Sequence, residues 1–359
     1  MTTKRRRARE LGLSVGDLPT GPSNAITDVP GVLVGHCTVS KGEGKSEIGK
    51  GPLRTGITAI VPAPPPDLIS RRMQAAVHVI NGFGKSAGLM QVEEMATIET
   101  PILITNTLNV GKVVDGLLDY LIHEQGLEWP SINPIVMECN DFFLSDALGR
   151  RLGGAEVSEA INAASDGPVS EGAVGAGAGT SAYGYKGGVG TSSRIITCEE
   201  ESFTLGALVV TNMGTRAELT ICGVPVGKKL KADKSEVKDP GGSIIMVIAT
   251  DAPLSDTQLR RVAARATHGL ARTGSCSADG SGDIALAFST ERRIPAAPEK
   301  AVFELRELAG VHINSFFAAA ADTIEESILN AMFMAETVVG RDGNRLRALP
   351  LDEVKALLG

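Results

Sequence analysis

A serine hydroxyl at position 243 stands directly behind two glycines, where a charged segment gives way to an apolar one. Residues 228–242 read KKLKADKSEVKDPGG, a stretch with no apolar periodicity that predicts an exposed, mobile linker. Residues 243–250 read SIIMVIAT, a run whose Ile and Val content suits a strand covered on both faces. Gly-Gly-Ser before a strand is, taken alone, a turn. The same residues also allow a reaction. Glycine lets the Gly242 carbonyl bend into conformations that a bulkier residue would forbid. Attack on it by Ser243 Oγ would form an ester by N-to-O acyl shift, and water would then release the chain after Gly242. The products would be residues 1–242 and 243–359. A serine freed in this way needs no histidine, because its own α-amine, with a pKa of roughly 7.7–8.0, can serve as base.

Three further segments could join such a centre. Residues 134–138 read as a strand that delivers Glu138 at its end, followed by Asn140 and Asp141. An acidic strand end is either plainly solvated or a place to meet a substrate charge. The run VVTNMG at 209–214 ends on Asn212, whose amide is either a turn residue or a donor to an oxyanion. GSGDIALAFS at 280–289 places Ser281 and Asp283 at a glycine-rich strand entry, itself a common turn.

Other chemistries find less support. The five cysteines, Cys37, Cys139, Cys198, Cys222 and Cys276, form no C-x-x-C pair, and the five histidines include no H-E-x-x-H. No disulfide scaffold, metal or organic cofactor is expected. The glycine series at 172–190, within EGAVGAGAGTSAYGYKGGVG, lacks both the G-x-G-x-x-G spacing and a G-K-[ST]. Close backbone packing near a site is expected of it instead.

To position these residues the chain offers strand-like runs at 32–38, 56–62, 76–80, 101–105, 134–138, 205–211, 243–250 and 283–289. Helical patterns lie at 110–125, 256–270 and 314–339. Interleaved without strict alternation, they predict a layered α/β architecture. PAPPP at 62–66 predicts a stiff connector. With 359 residues and 43% hydrophobic content, the chain can fill one large or two ordinary cores. A formal net charge of -7 argues against a nucleic-acid surface. The basic cluster at 4–7 predicts a solvated tail, and no apolar stretch of signal-peptide length follows it. No apolar run is long enough for a membrane span, so a cytoplasmic protein is expected.

Taken together, these segments resemble the L-aminopeptidase/D-esterase family, peptidase family S58, which includes the β-peptidyl aminopeptidases. The matching stretches are NAITDVPGVLVGH (24–36), TNTLNVG (105–111), GPVSEGAVGAGAG with KGGVGTSSR (167–194) and GSIIMVIATDAPL (242–254). HGLARTGS with GSGDIALAFST (268–290) and ESILNAMFMAETVVGRDG (326–343) complete them. The resemblance implies a self-processing N-terminal-nucleophile-type hydrolase with a four-layer αββα sandwich, to which residues 1–242 and 243–359 both contribute. Carried over by position, Ser243 is nucleophile and new N-terminus, Asn212 the oxyanion-stabilising asparagine, and Ser281 and Asp283 the supporting polar residues. Asp283 stands where some relatives have Glu. Glu138 matches the acid that holds the substrate's free amino group, a charge-assisted contact suited to an exopeptidase. One position departs from the family, which places a tyrosine after that acid. Residues 138–146 read ECNDFFLSD, so Asn140 or Phe143 stands in its place, and Asn140 is expected to supply the donor.

The implied activity is removal of N-terminal residues from short peptides, amino-acid amides or esters through an acyl-enzyme on Ser243, by a homo-oligomer of processed heterodimers. Two alternatives stay open at this point. One is a self-processing acyltransferase of related architecture. The other is a non-catalytic homologue that binds a small ligand at the glycine-rich 172–190 segment.

Overall fold

The chain runs through β1 (Leu33–Lys41), β2 (Leu53–Val61), α1 (Pro65–Ser70), β3 (Arg71–Gly82), α2 (Leu89–Met95), β4 (Thr97–Ile98) and β5 (Ile102–Asn106). It continues through α3 (Val110–Asp119), β6 (Ile135–Cys139), α4 (Gly154–Asn162), β7 (Ser181–Ala182), β8 (Tyr185–Lys186), β9 (Gly188–Cys198) and β10 (Glu201–Asn212). Then come α5 (Val226–Lys229), β11 (Gly242–Thr250), α6 (Asp256–Ala263), α7 (Ala266–Arg272), β12 (Ser281–Pro295) and α8 (Ile313–Met334). This structure, a computed structural model, describes residues 4–230 and 242–358. Most of the charged linker expected at 228–242, with Pro240 and Gly241, lies outside the described residues; Lys228 and Lys229 close α5.

Two sheets organise these elements. One has the order β1-β2-β5-β6 and the other β4-β3-β12-β11-β10-β9. Three hydrophobic cores show how they are layered. Ile60, Ile104 and Met137 of the first sheet meet Val77, Val210, Ile245 and Leu286 of the second, which makes the core between the sheets. The outer face of the first sheet, with Ile57 and Val136, packs on Val113 and Leu117 of α3 and Val157 of α4. The outer face of the second, with Ile244, Met246 and Ile248, packs on α6, α7 and α8. Helices, sheet, sheet and helices thus form the expected αββα sandwich.

Strand alternation explains the unbroken apolar run behind Ser243. Ile245, Val247 and Ala249 of β11 point into the core between the sheets, while Ile244, Met246 and Ile248 point to the helices. Neither face reaches water, so no polar alternation is needed. β11 lies between β10 and β12, so the second sheet draws on both sides of the Gly242–Ser243 junction.

Several elements differ from the sequence expectations. PAPPP is not wholly a connector, because α1 begins at Pro65, where the missing N–H costs no helical hydrogen bond. The glycine series runs into β9, whose glycines admit close neighbours: a Cβ at Gly190 would stand 2.0 Å from Ser327 O of α8. The long helix stops at Met334, and Val338 and Val339 pair instead with Leu346 and Arg345, an extended geometry that suits β-branched residues. α8 is buried within the chain against β9 and β10, so its apolar length serves the core.

The cluster at 4–7 is not a solvated tail. Arg5 donates to Met332 O and Leu349 O, and Arg7 to Ser23 O, Asn24 O and Thr191 O, with Glu171 as ion-pair partner. Met332 is in the last turn of α8, where carbonyls lack helical partners and attract cations. Among the described residues no helix is long and apolar enough to cross a membrane.

Candidate active site

Glu138, Asn212, Ser243, and Ser281 with Asp283 lie at or near the ends of β6, β10, β11 and β12. Register places Asn212 of β10 opposite Ser243 of β11, so their side chains share a face. On the other side β12 runs parallel to β11, with Ser281 beside Gly242 and Gly282 beside Ser243. Ser281 and Asp283 therefore project from the opposite face to Ser243, alongside the Gly242 backbone.

Ser243 is buried, and its Oγ lies 2.5 Å from the carbonyl oxygen of Gly242, to which it donates. The hydroxyl is thus held against the carbonyl group whose carbon it would attack. Gly242 has no room for a side chain: a Cβ there would fall 2.5 Å from Ser281 Oγ. Ser281 in turn donates to Asp283 Oδ1 at 2.5 Å. Burial pushes the Asp283 carboxyl above the usual aspartate range, opposed by hydrogen bonds from Ser281, Ser277 and the Ile244 backbone. If Ser243 attacks this carbonyl, Gly242→Ala is expected to displace Ser281 and slow breakage of the 242–243 bond at least tenfold. A time course on denaturing gels reads this, and a wild-type rate would contradict the close fit of Gly242 on Ser281.

Asn212 is fixed at one end and free at the other. Its Oδ1 accepts from Ser181 N at 3.0 Å, which assigns the amide orientation, while the buried Nδ2 finds no hydrogen-bond partner among the described residues. A buried donor left unpaired costs roughly 1–3 kcal/mol. It is worth carrying where it meets charge that develops only during a reaction.

Glu138 is the penultimate residue of β6 on the neighbouring sheet and is buried. Oε2 accepts from Thr107 Oγ1 at 2.5 Å and Oε1 from Lys85 N at 3.1 Å. Gly84 lies between it and β12, the strand beside that of Ser243, since a Cβ there would stand 4.0 Å from Glu138 Oε1 and 3.7 Å from Gly282 Cα. Asn140 is exposed and its Oδ1 accepts from Phe142 N, closing a turn just beyond the acid. Thr107 and the Lys85 amide are absent from the sequence-derived set. The only signal for them is that Thr107 lies in the matched stretch TNTLNVG.

Gly242 and Ser281 open onto a cavity of about 520 Å3 that also touches Phe83, Thr215, Glu218 and Asp279. The cysteine closest in sequence to this centre, Cys139, donates to Val210 O, and burial pushes its thiol well above the usual range. It is a packed thiol, unsuited to act as a nucleophile. Among the described residues no group of three or more His, Cys, Asp or Glu could hold a metal ion.

Comparison with known proteins places this arrangement. The family model described as peptidase family S58 matches residues 24–346. The β-peptidyl aminopeptidase BapA of Sphingosinicella microcystinivorans is 38% identical over 98% of this chain and 91% of its own. A Pyrococcus horikoshii protein of known structure superposes with a TM-score of 0.93 at 48% identity, covering 98% of both chains. The L-aminopeptidase D-Ala-esterase/amidase of Ochrobactrum anthropi, described as a prototype serine aminopeptidase with a variant Ntn hydrolase fold, does so at 0.90 and 37%, again over 98% of both. The fold and these relatives define a hydrolase of the aminopeptidase class built on the N-terminal-nucleophile architecture. The chain belongs to peptidase family S58.

Proposed function

We propose that the chain cleaves itself between Gly242 and Ser243 and then works as a serine aminopeptidase whose nucleophile is the new N-terminal residue. The observation that carries this reading is the pairing of Ser243 Oγ, 2.5 Å from Gly242 O, with Asn212 Nδ2, which has no hydrogen-bond partner among the described residues, on the same face. Oγ attacks the Gly242 carbonyl carbon, the amide nitrogen of Ser243 leaves as the amine, and water hydrolyses the ester. Residues 1–242 and 243–359 stay together as one sandwich, because β11 and β12 are built into a sheet with β3, β9 and β10.

In the mature enzyme the freed α-amine takes the Oγ proton as Oγ attacks a substrate carbonyl. Asn212 Nδ2 donates to the oxyanion, the leaving amine or alcohol departs with a proton, and water hydrolyses the acyl-serine. Ser281, bonded to Asp283 and lying against Gly242, is placed to hold that α-amine. Glu138 pairs with the substrate's own ammonium, which confines the enzyme to free N-termini; Asn140, at the turn just after it, supplies a donor in place of the family's tyrosine. The substrates are short peptides, amino-acid amides or esters, a range supported by the named activities of the β-peptidyl and D-Ala-esterase/amidase relatives. The reading includes no metal or organic cofactor, no nucleic-acid or membrane partner, a cytoplasmic location and a homo-oligomer of processed heterodimers.

Glu138→Gln tests the recognition step. A charge-assisted hydrogen bond contributes roughly 1.5–3 kcal/mol, so kcat/KM on aminoacyl p-nitroanilides should fall about 10- to 100-fold, mainly through KM. Self-cleavage should proceed at the wild-type rate, since the precursor presents no amine to Glu138. Equal kcat/KM for the variant, or rapid hydrolysis of N-acetylated anilides by the wild type, would refute this role.

A further inference from the structure

Lys186 is a lysine with no exposed surface, and its Nζ donates to Gly177 O at 2.7 Å, Thr180 O at 2.9 Å and Gly187 O at 2.9 Å. All three ammonium protons are therefore used, each on a backbone carbonyl. One of these carbonyls leads to the oxyanion donor. Thr180 C=O and Ser181 N–H belong to the same peptide unit, and Ser181 N donates to Asn212 Oδ1 at 3.0 Å. A cation at one end of an amide draws electron density toward its oxygen and makes its N–H a stronger donor. The Asn212 amide, accepting that stronger bond at Oδ1, becomes a stronger donor at Nδ2, which has no partner among the described residues. The series runs from ammonium through two amides to the place where negative charge develops.

Fold stability alone is a poor reason for this lysine. Burying an ammonium carries a desolvation cost that an apolar side chain of similar volume avoids. Burial lowers the Lys186 ammonium below the usual lysine range, and the buried Asp141 carboxyl opposes that shift. Asp141 packs on the residue before Thr180, whose carbonyl Lys186 reaches: a Cβ at Gly179 would stand 2.8 Å from Asp141 Cβ.

We propose that Lys186 is a positioning residue for the oxyanion site, orienting and polarising the Asn212 amide through the Thr180–Ser181 peptide. This rests on the proposed function, in which Asn212 Nδ2 meets the oxyanion. A polarising group acts on the transition state far more than on the bound substrate, so its loss appears in kcat and leaves KM little changed.

The experiment is a kinetic cycle on processed enzyme with an aminoacyl p-nitroanilide, each variant being incubated until cleavage is complete and its fold checked by thermal melting. Asn212→Ala alone should lower kcat about 100-fold or more. Lys186→Met should lower kcat about tenfold with KM within about twofold, and Lys186→Gln, which keeps neutral donors, should fall between it and the wild type. Adding Lys186→Met to Asn212→Ala should cause no further loss. Multiplied losses in the double variant would mean that Lys186 acts elsewhere and would overturn the proposal. So would a change confined to KM, or failure of both Lys186 variants to fold, which would assign the lysine to stability. A wild-type kcat for Asn212→Ala would remove the oxyanion role itself and the proposed function with it, an outcome separable because Lys186 is intact in that variant.

Discussion

Ser243→Ala is expected to remain a single intact chain and to lose all detectable aminopeptidase activity. The substitution deletes the one atom that both proposed reactions require, Oγ, which lies 2.5 Å from the Gly242 carbonyl oxygen. Little else changes. Residue 243 is the second residue of β11 and pairs with Asn212 and Gly282 through its backbone, which alanine preserves. The lost hydroxyl bond is worth about 1 kcal/mol, so the melting temperature should move by only a few degrees. Denaturing gels and p-nitroanilide release read the two losses together. Cleavage after residue 242 in this variant would place the nucleophile elsewhere, and activity without cleavage would separate hydrolysis from the freed serine.

Asn212→Ala should give the second largest effect, a fall in kcat of about 10²–10³-fold, the usual consequence of removing one oxyanion donor. The side chain also holds Ser181 N, so alanine leaves that buried N–H without its acceptor and costs roughly 1–3 kcal/mol of stability. Asn212→Asp separates the two effects. The carboxylate keeps an acceptor for Ser181 N but replaces the donor with a negative charge facing the oxyanion. Its kcat should fall at least as far as that of Asn212→Ala while more stability is retained. Rates near wild type for Asn212→Asp would show that Nδ2 does not meet the developing charge.

The legible parts of this molecule are those where one local pattern carries the information. SIIMVIAT reveals a central strand because both of its faces are apolar, and the position of Ser243 at its start follows directly. Glu138, Asn212, Ser281 and Asp283 stand out as polar residues at or beside the ends of apolar runs. β9 is less legible because its glycines look like a loop; it is a strand through its antiparallel pairing with β10, and the glycines let α8, more than a hundred residues away, approach its face closely. The docking of Arg5 and Arg7 is hidden for the same reason, since carbonyls from four distant segments receive them.

The surroundings of Glu138 show the limit most clearly. The parallel pairing of β5 with β6 sets Thr105 against Glu138, which brings Thr107 to one carboxylate oxygen. The chain leaving β3 brings Lys85 N to the other. Nothing in ECNDFFLSD indicates either partner, and the turn made by Asn140 appears only once the backbone is traced.

The central claim is that the Gly242–Ser243 bond breaks by the action of Ser243 itself, and intact-mass measurement of the purified wild-type protein, with sequencing of any new N-terminus, tests it most directly. The expected result is two fragments, residues 1–242 and 243–359, the second beginning with Ser243, alongside a Ser243→Ala chain that stays whole. A wild-type chain that remains intact through prolonged incubation under mild conditions, or that breaks at any other bond, would contradict it.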